Sequence, residues 1–495
     1  MNHPIKGSFA LFLCELLIVL PMTGGGPSRQ QQAPIRAVKE KLSLREYLQK
    51  SYLDLFELAP KLEFSASEIE MQRNAFKSGK DICVDAFKGH SKQYAKQIDA
   101  ARDDLKKRTA TLSELQRSQI HCSIQNLDLL KSEAEILARQ AIPTAYDNLN
   151  AKLDVIQQWP AQYKQIQQEI AIGSYHTRRW GDVKDIGFRE IAPNQQDDIK
   201  RGTQAIEEMK RAGLLPPEVD DKVIQEYVRS VAERVAKFSD LKVPLHIAVL
   251  QSREINAFAL PGGYLFIERG LLEAADNESE LAGVIAHEIA HDTARHSNKL
   301  MNRATIASIF FQAAQIAATV LTGGVAGIGV YYALQYGFYG LGLVLDLKLL
   351  GVSRDYELEA DQLGVQYAWN AGYDPSGFIR FFDKMATKQG YVNSVSWFRT
   401  HPPFFQRMVE TEREIMFLEQ KPSAIVQTSA FEQMKKELAP IAAKAEQEEI
   451  GKPSLLITKE EGCTPPEKLE YKPDQPIESL CSSLPRTVPS GNPRQ

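Results

Sequence analysis

The run from Leu281 to His296, LAGVIAHEIAHDTARH, allows few folds: apolar residues on every side carry His287, Glu288 and His291 at helical spacing. Positions i and i+4 of a helix share a face, so the two imidazoles can aim at one point, while Glu288, about 100° further round, reaches the space beside it. Asn277, three residues before Glu280, supplies a capping-box-like start. A rigid, capped helix that offers two neutral nitrogens and an adjacent carboxylate has the H-E-x-x-H layout, in which the histidines hold zinc and the carboxylate takes a proton from a water.

Such a site needs a third protein ligand. His296 is the nearest candidate, but nine residues after His287 it projects about 180° away on a continuous helix. It also lacks an intervening Gly that would turn the chain back, so it is expected to serve structure. Glu357, in Glu357-Leu358-Glu359-Ala360-Asp361, fits better. Glu357 and Asp361 share a face, so the first can ligate while the second orients a ligand histidine through its other ring nitrogen. Glu359 lies about 200° round from Glu357, and metal is expected to survive its replacement or that of His296.

Four segments in this order, INAFALPGG, HEIAHDTARH, SRDYELEAD and THPPFFQR, resemble the HtpX and CAAX-prenyl-endopeptidase family of gluzincin metalloproteases over about residues 200 to 416. The resemblance implies one zinc per chain held by His287, His291 and Glu357, with Glu288 as general base and Asp361 behind the ligands. It also implies an edge strand, Asn256, Ala257, Phe258, Ala259 and Leu260, that pairs with an extended substrate. His401 would stand near the zinc, either stabilising an oxyanion or filling the open position, and Arg407 would brace that loop. Without several spanning helices, the chain is most similar to the soluble, exported branch of that family. The 79 residues after Met416 are too few and too proline-rich for the tetratricopeptide array usual there.

The implied fold is α+β and mostly helical: a gluzincin-like metalloprotease domain with a small edge-stranded sheet, preceded by a long helical hairpin or bundle. Residues 42–175, rich in Lys, Glu, Gln, Leu and Ala, read as that hairpin or bundle, a spacer or docking arm. KVPLHIAVL and GYLFIE read as strands within the domain at 199–416, and DYELEADQLGVQYAWNAG as a helix that stops at Gly372. A helical extension is expected over 417–450 and an irregular tail over 451–495, which holds eight prolines. Residues 304–350 carry only Asp346 and Lys348 as charges. They read as helices on a membrane face, a spanning hairpin or a buried hairpin.

Lys6 before the apolar run Phe9–Leu20 and small residues after it give the layout of a signal peptide over 1–27, with a linker over 28–41. Export is the expected route, to the periplasm or cell envelope with peripheral membrane association. In an exported chain Cys83, Cys122, Cys463 and Cys481 suggest two disulfides, and proximity favours Cys83 with Cys122 and Cys463 with Cys481. A net charge of −4 and no basic, aromatic-interleaved block argue against nucleic acid. The expected partners are unfolded or misassembled polypeptides, with a membrane surface or outer-membrane assembly machinery nearby. The functional expectation is a zinc endopeptidase acting on misfolded or stalled envelope proteins. Its rival is a gated zinc-site protein that acts as a chaperone or assembly factor.

Overall fold

The first long helices are written into the sequence by repeated Ser-x-x-Glu/Gln signals. The structure, a computed structural model, describes residues 42–173, 195–211, 215–296, 354–389, 405–450, 469 and 476–482, and those from Ser43 onward belong to one compact unit. Helix α1 (Leu44–Leu48) is capped by Ser43 and Glu46, and α2 (Tyr52–Leu58) by Ser51. The 43-residue α3 (Ala66–Arg108) is capped by Ser65 and Glu68, and α4 (Glu114–Ile136) by Ser113 and Gln116. In each reciprocal box the serine oxygen accepts a free backbone N–H of the first turn while the acidic or amide side chain reaches back.

A single π turn, Leu137–Ala141, joins α4 to α5 (Ile142–Ala171). Pro143, just after it, has no N–H to donate and would crowd the carbonyl of residue 139 in a regular helix, and the wider turn relieves both. Helices α4 and α5 return along α3, so residues 66–171 form a helical hairpin. Trp159 of α5 is 1% exposed, packs 4.6 Å from the ring of Phe56 and donates its indole N–H to the Phe56 carbonyl.

This hairpin shares a core with the second half of the chain. That half comprises α6 (Gln195–Arg211), α7 (Lys222–Lys237), β1 (His246–Leu250), β2 (Ala257–Leu260), β3 (Tyr264–Glu268), α8 (Arg269–Ala274) and α9 (Glu278–Thr293). It continues through α10 (Arg354–Asn370), α11 (Ser376–Gln389), α12 (Phe405–Phe417), α13 (Ser429–Ile450) and the short α14 (Glu478–Cys481). Phe56, Trp159 and Ile166 fall in the same apolar cluster as Ile285, Tyr367 and Phe382. Polar links fix the contact. Asp383 of α11 accepts the backbone N–H of Tyr52 at 2.8 Å and of Leu53 at 3.3 Å, and Arg413 of α12 pairs with Glu169 of α5 at 2.9 Å.

The described sheet has the order β1-β3-β2. Strand β1 runs parallel to β3 (His246 opposite Tyr264) and β2 antiparallel to it (Phe258 opposite Phe266), which leaves β2 at an edge of the described sheet. Gly262 and Gly263 make the β2–β3 turn at φ of 91° and 88°, a region open to glycine at little cost.

Cys83 of α3 is bonded to Cys481 of α14. This corrects the expected pairing of neighbours: the fold returns the C-terminal segment to the hairpin, so spatial proximity departs from sequence proximity. Cys122 is also disulfide-bonded, to a partner outside the described residues. The signal-like segment, linker, apolar run 304–350, most of the tail and His401 also lie outside them. Among the described residues no helix is long and apolar enough to cross a membrane.

Candidate metal centre

Helix α9 is buried on nearly all sides, as a helix apolar all round must be. It starts as expected: the Asn277 side chain accepts the Glu280 N–H at 3.0 Å, and Glu280 reaches back to the Asp276 N–H at 3.0 Å. Helix α10 lies against it in close contact because Gly364 has no side chain: a Cβ there would stand 2.9 Å from both Cα and N of His287. Any larger residue would push the two helices apart at the point where their chemistry meets.

Across this contact His287 Nε2 and His291 Nε2 are 3.0 Å apart, His287 Nε2 is 3.7 Å from Glu357 Oε2, and His291 Nε2 is 3.5 Å from Glu357 Oε1. Tetrahedral zinc with bonds of about 2.0–2.1 Å would separate its donors by roughly 3.3 Å, so the three fit one such ion. Among the described residues they are the group of His, Cys, Asp or Glu side chains that could hold a metal. All three are buried, and so is Glu288, at 1% exposure, beside His287 on α9.

Behind His287, Nδ1 stands 3.0 Å from Asp361 Oδ1. Arg407 of α12 grips Asp361 with two 2.7 Å hydrogen bonds, from Nε to Oδ2 and from a terminal nitrogen to Oδ1. Its other terminal nitrogen lies 3.1 Å from Glu357 Oε2. Burial pushes the Asp361 carboxyl up, but Arg407 and His287 outweigh it and hold the group below the ordinary carboxylate range. Arg407 is 1% exposed and its guanidinium also lies over the Phe382 ring. It therefore braces both Glu357, a member of the three-donor group, and Asp361, which stands behind His287. The ring of Phe378 stacks on His287 at 4.9 Å.

Behind His291 the arrangement departs from expectation. Helix α9 ends at Thr293, and Arg295 takes a left-handed φ of 57°, making without glycine the turn that brings the chain back. His296 swings back and its Nδ1 lies 2.9 Å from His291 Nδ1, while its Nε2 lies 3.1 Å from Glu359 Oε2. His296 is thus outside the three-donor group but in contact with one member of it, and Glu359 is connected to the site through it. A continuous helix would carry His296 to the opposite face; the left-handed turn at Arg295 brings it back.

The edge strand β2 packs beside α9, and the turn after it is tied to the end of that helix, where Asp292 accepts the Gly262 N–H at 3.3 Å. Burial pushes the Asp292 carboxyl up to about 7, against the pull of the Gly262 and Gly263 N–H groups. Ala257 and Phe258 are buried and Ala259 and Leu260 partly so. Asn256 precedes the strand, buried, with its carbonyl accepting from Glu268 N–H at 3.0 Å.

Residues 222–415, which hold the whole of this centre, match the sequence pattern of peptidase family M48. The chain carries a peptidase family M48 domain. It is 28% identical over 227 residues to the beta-barrel assembly-enhancing protease of Yersinia pestis, covering 44% of each chain. It is 32% identical over 191 residues to a putative beta-barrel assembly-enhancing protease of Vibrio cholerae, covering 38% of each. To the mitochondrial metalloendopeptidase OMA1 of Schizosaccharomyces pombe it is 34% identical over 191 residues, which is 38% of this chain and 51% of that one. The matches thus span about half or less of these relatives' length.

Proposed function

We propose that this chain is a zinc-dependent endopeptidase of the cell envelope that cleaves misfolded or stalled polypeptides. The observation that carries the proposal is the convergence of His287, His291 and Glu357 on one point beside the buried Glu288, inside an M48 domain.

His287 and His291 would hold the ion through Nε2 and Glu357 through its carboxylate. Zinc, when bound, supplies the Lewis acidity that polarises a peptide carbonyl and acidifies a water. Glu288 accepts the proton of the attacking water at its carboxylate and returns it to the departing amine. Asp361 and Arg407 keep His287 and Glu357 in their working orientation. Strand β2 pairs main chain to main chain with an extended substrate segment, which tolerates many sequences and suits unfolded polypeptides.

Two of the relatives above are named for beta-barrel assembly, which supports substrates among envelope proteins and a place near outer-membrane assembly machinery. The signal-like first 27 residues support export. The test is Glu288→Gln in the full chain. It is expected to retain one zinc while cleavage of an unfolded polypeptide falls at least about a hundredfold, the scale of a lost general base. Undiminished cleavage by this variant sinks the endopeptidase reading.

A further inference from the structure

The feature that the proposed chemistry leaves unused is the line of two side chains, His296 and Glu359, behind His291. When Nε2 of His291 ligates a metal, the ring proton must sit on Nδ1, 2.9 Å from His296 Nδ1. The acceptor nitrogen of His296 then faces His291, which leaves its own proton on Nε2, 3.1 Å from Glu359 Oε2. Each ring thus donates in one direction along the line, and the carboxylate at its end fixes both tautomers. His296 is 1% exposed and is held in plane by Tyr356, whose ring stacks on it at 4.5 Å and 13°. The line belongs to the fold because the turn at Arg295 is tied down: its guanidinium pairs with Asp198 of α6 at 2.7 Å.

We infer that His296 and Glu359 form a positioning relay that sets the tautomer and ring orientation of His291, so that its Nε2 is presented as a metal ligand. This rests on the reading of His287, His291 and Glu357 as a zinc site. The assignment reverses the expectation from spacing alone, by which replacing either residue leaves metal binding untouched. Carboxylates and carbonyls that orient a ligand histidine typically matter ten- to a hundredfold in affinity. Here an imidazole is inserted between ligand and carboxylate, so the two members differ in weight.

The experiment is a zinc titration of the full chain against a chromophoric chelator, with stability of each metal-free variant followed by circular dichroism. His296→Phe keeps ring volume and the stack on Tyr356 but removes both hydrogen bonds, and it is expected to weaken zinc binding about ten- to a hundredfold. His296→Gln can accept from His291 with its amide oxygen and donate to Glu359 with its amide nitrogen, and it is expected to recover most of that loss. Glu359→Gln leaves an acceptor oxygen but no charge, and about a two- to tenfold loss is expected. In the cobalt-substituted protein the visible bands of the Phe variant shift, whereas those of the Gln variant stay near wild type.

The reverse order, in which the Phe variant binds like wild type and the Gln variant weakly, assigns His296 to packing and overturns the relay. If the His296 variants do not fold, Glu359→Gln decides: unchanged affinity in a folded chain overturns the relay, and weakened affinity supports it. A wild-type chain that binds no zinc overturns the metal reading itself, and is distinguished from these outcomes because no variant is needed to see it.

Discussion

Behind His287 stands a buried carboxylate that touches the ring directly and is clamped by a buried guanidinium; behind His291 stand a second imidazole and a carboxylate whose side chain is 24% exposed. The two histidines share one helix and aim at one point, yet their supports differ in kind. Asp361, Arg407 and Glu357 form a charge network with exposures of 1–2%, where removing one partner strands another without solvent to screen it. Glu359 is partly bathed in water, so its charge counts for less and the line behind His291 acts mainly through hydrogen-bond direction. The first support holds the fold and the site together, while the second adjusts the site.

That contrast breaks most visibly at Arg407. Arg407→Ala leaves the buried carboxylates of Asp361 and Glu357 without their guanidinium, at an expected cost of about 3–5 kcal/mol in denaturant unfolding of the metal-free chain. A loss below about 1 kcal/mol would show that the network behind His287 is no stiffer than the one behind His291. Gly364→Ala comes next, since its Cβ would meet backbone atoms of His287 and force α9 and α10 apart. The expected overpacking cost is about 1–3 kcal/mol in melting experiments, and zinc affinity should fall with it as His287 and Glu357 separate.

The smallest effect is expected at Arg295. Arg295→Gly removes a left-handed penalty of about 1–2 kcal/mol and loses the pair with Asp198, so its net change should stay within about 1 kcal/mol. Arg295→Ala keeps the penalty and loses the pair. It should be the less stable of the two, and equal stabilities would show that the turn does not depend on the left-handed backbone.

The pairings at i and i+4 were legible in the sequence. His287 with His291, and Glu357 with Asp361, follow from helical geometry alone, and Asn277 and Gly372 mark helix limits where α9 begins and α10 stops. The strands around INAFALPGG were equally plain from their β-branched and aromatic content. His296 was not legible as a partner of His291, because its position depends on where α9 ends. Arg295 gives no local signal for a left-handed turn; Asp198, nearly a hundred residues earlier in the chain, pins it. Glu359 does point away from Glu357 as spacing requires, but what lies on that other side is tertiary information. Arg407 was anticipated only through the family resemblance, as a brace for the loop of His401, which lies outside the described residues; its grip on Glu357 and Asp361 is tertiary information.

The bond between Cys83 and Cys481 spans 398 positions of sequence, and the order in which a chain is made gives that span a meaning. Cys83, in the 43-residue α3, is synthesised 398 positions before Cys481. A chain interrupted anywhere between them holds the Cys83 thiol without its native partner, so a finished molecule and an unfinished one differ by a covalent mark. Reduction would erase that mark and leave α14 tied to the hairpin by packing, with Ile477 and Leu480 buried in the shared core.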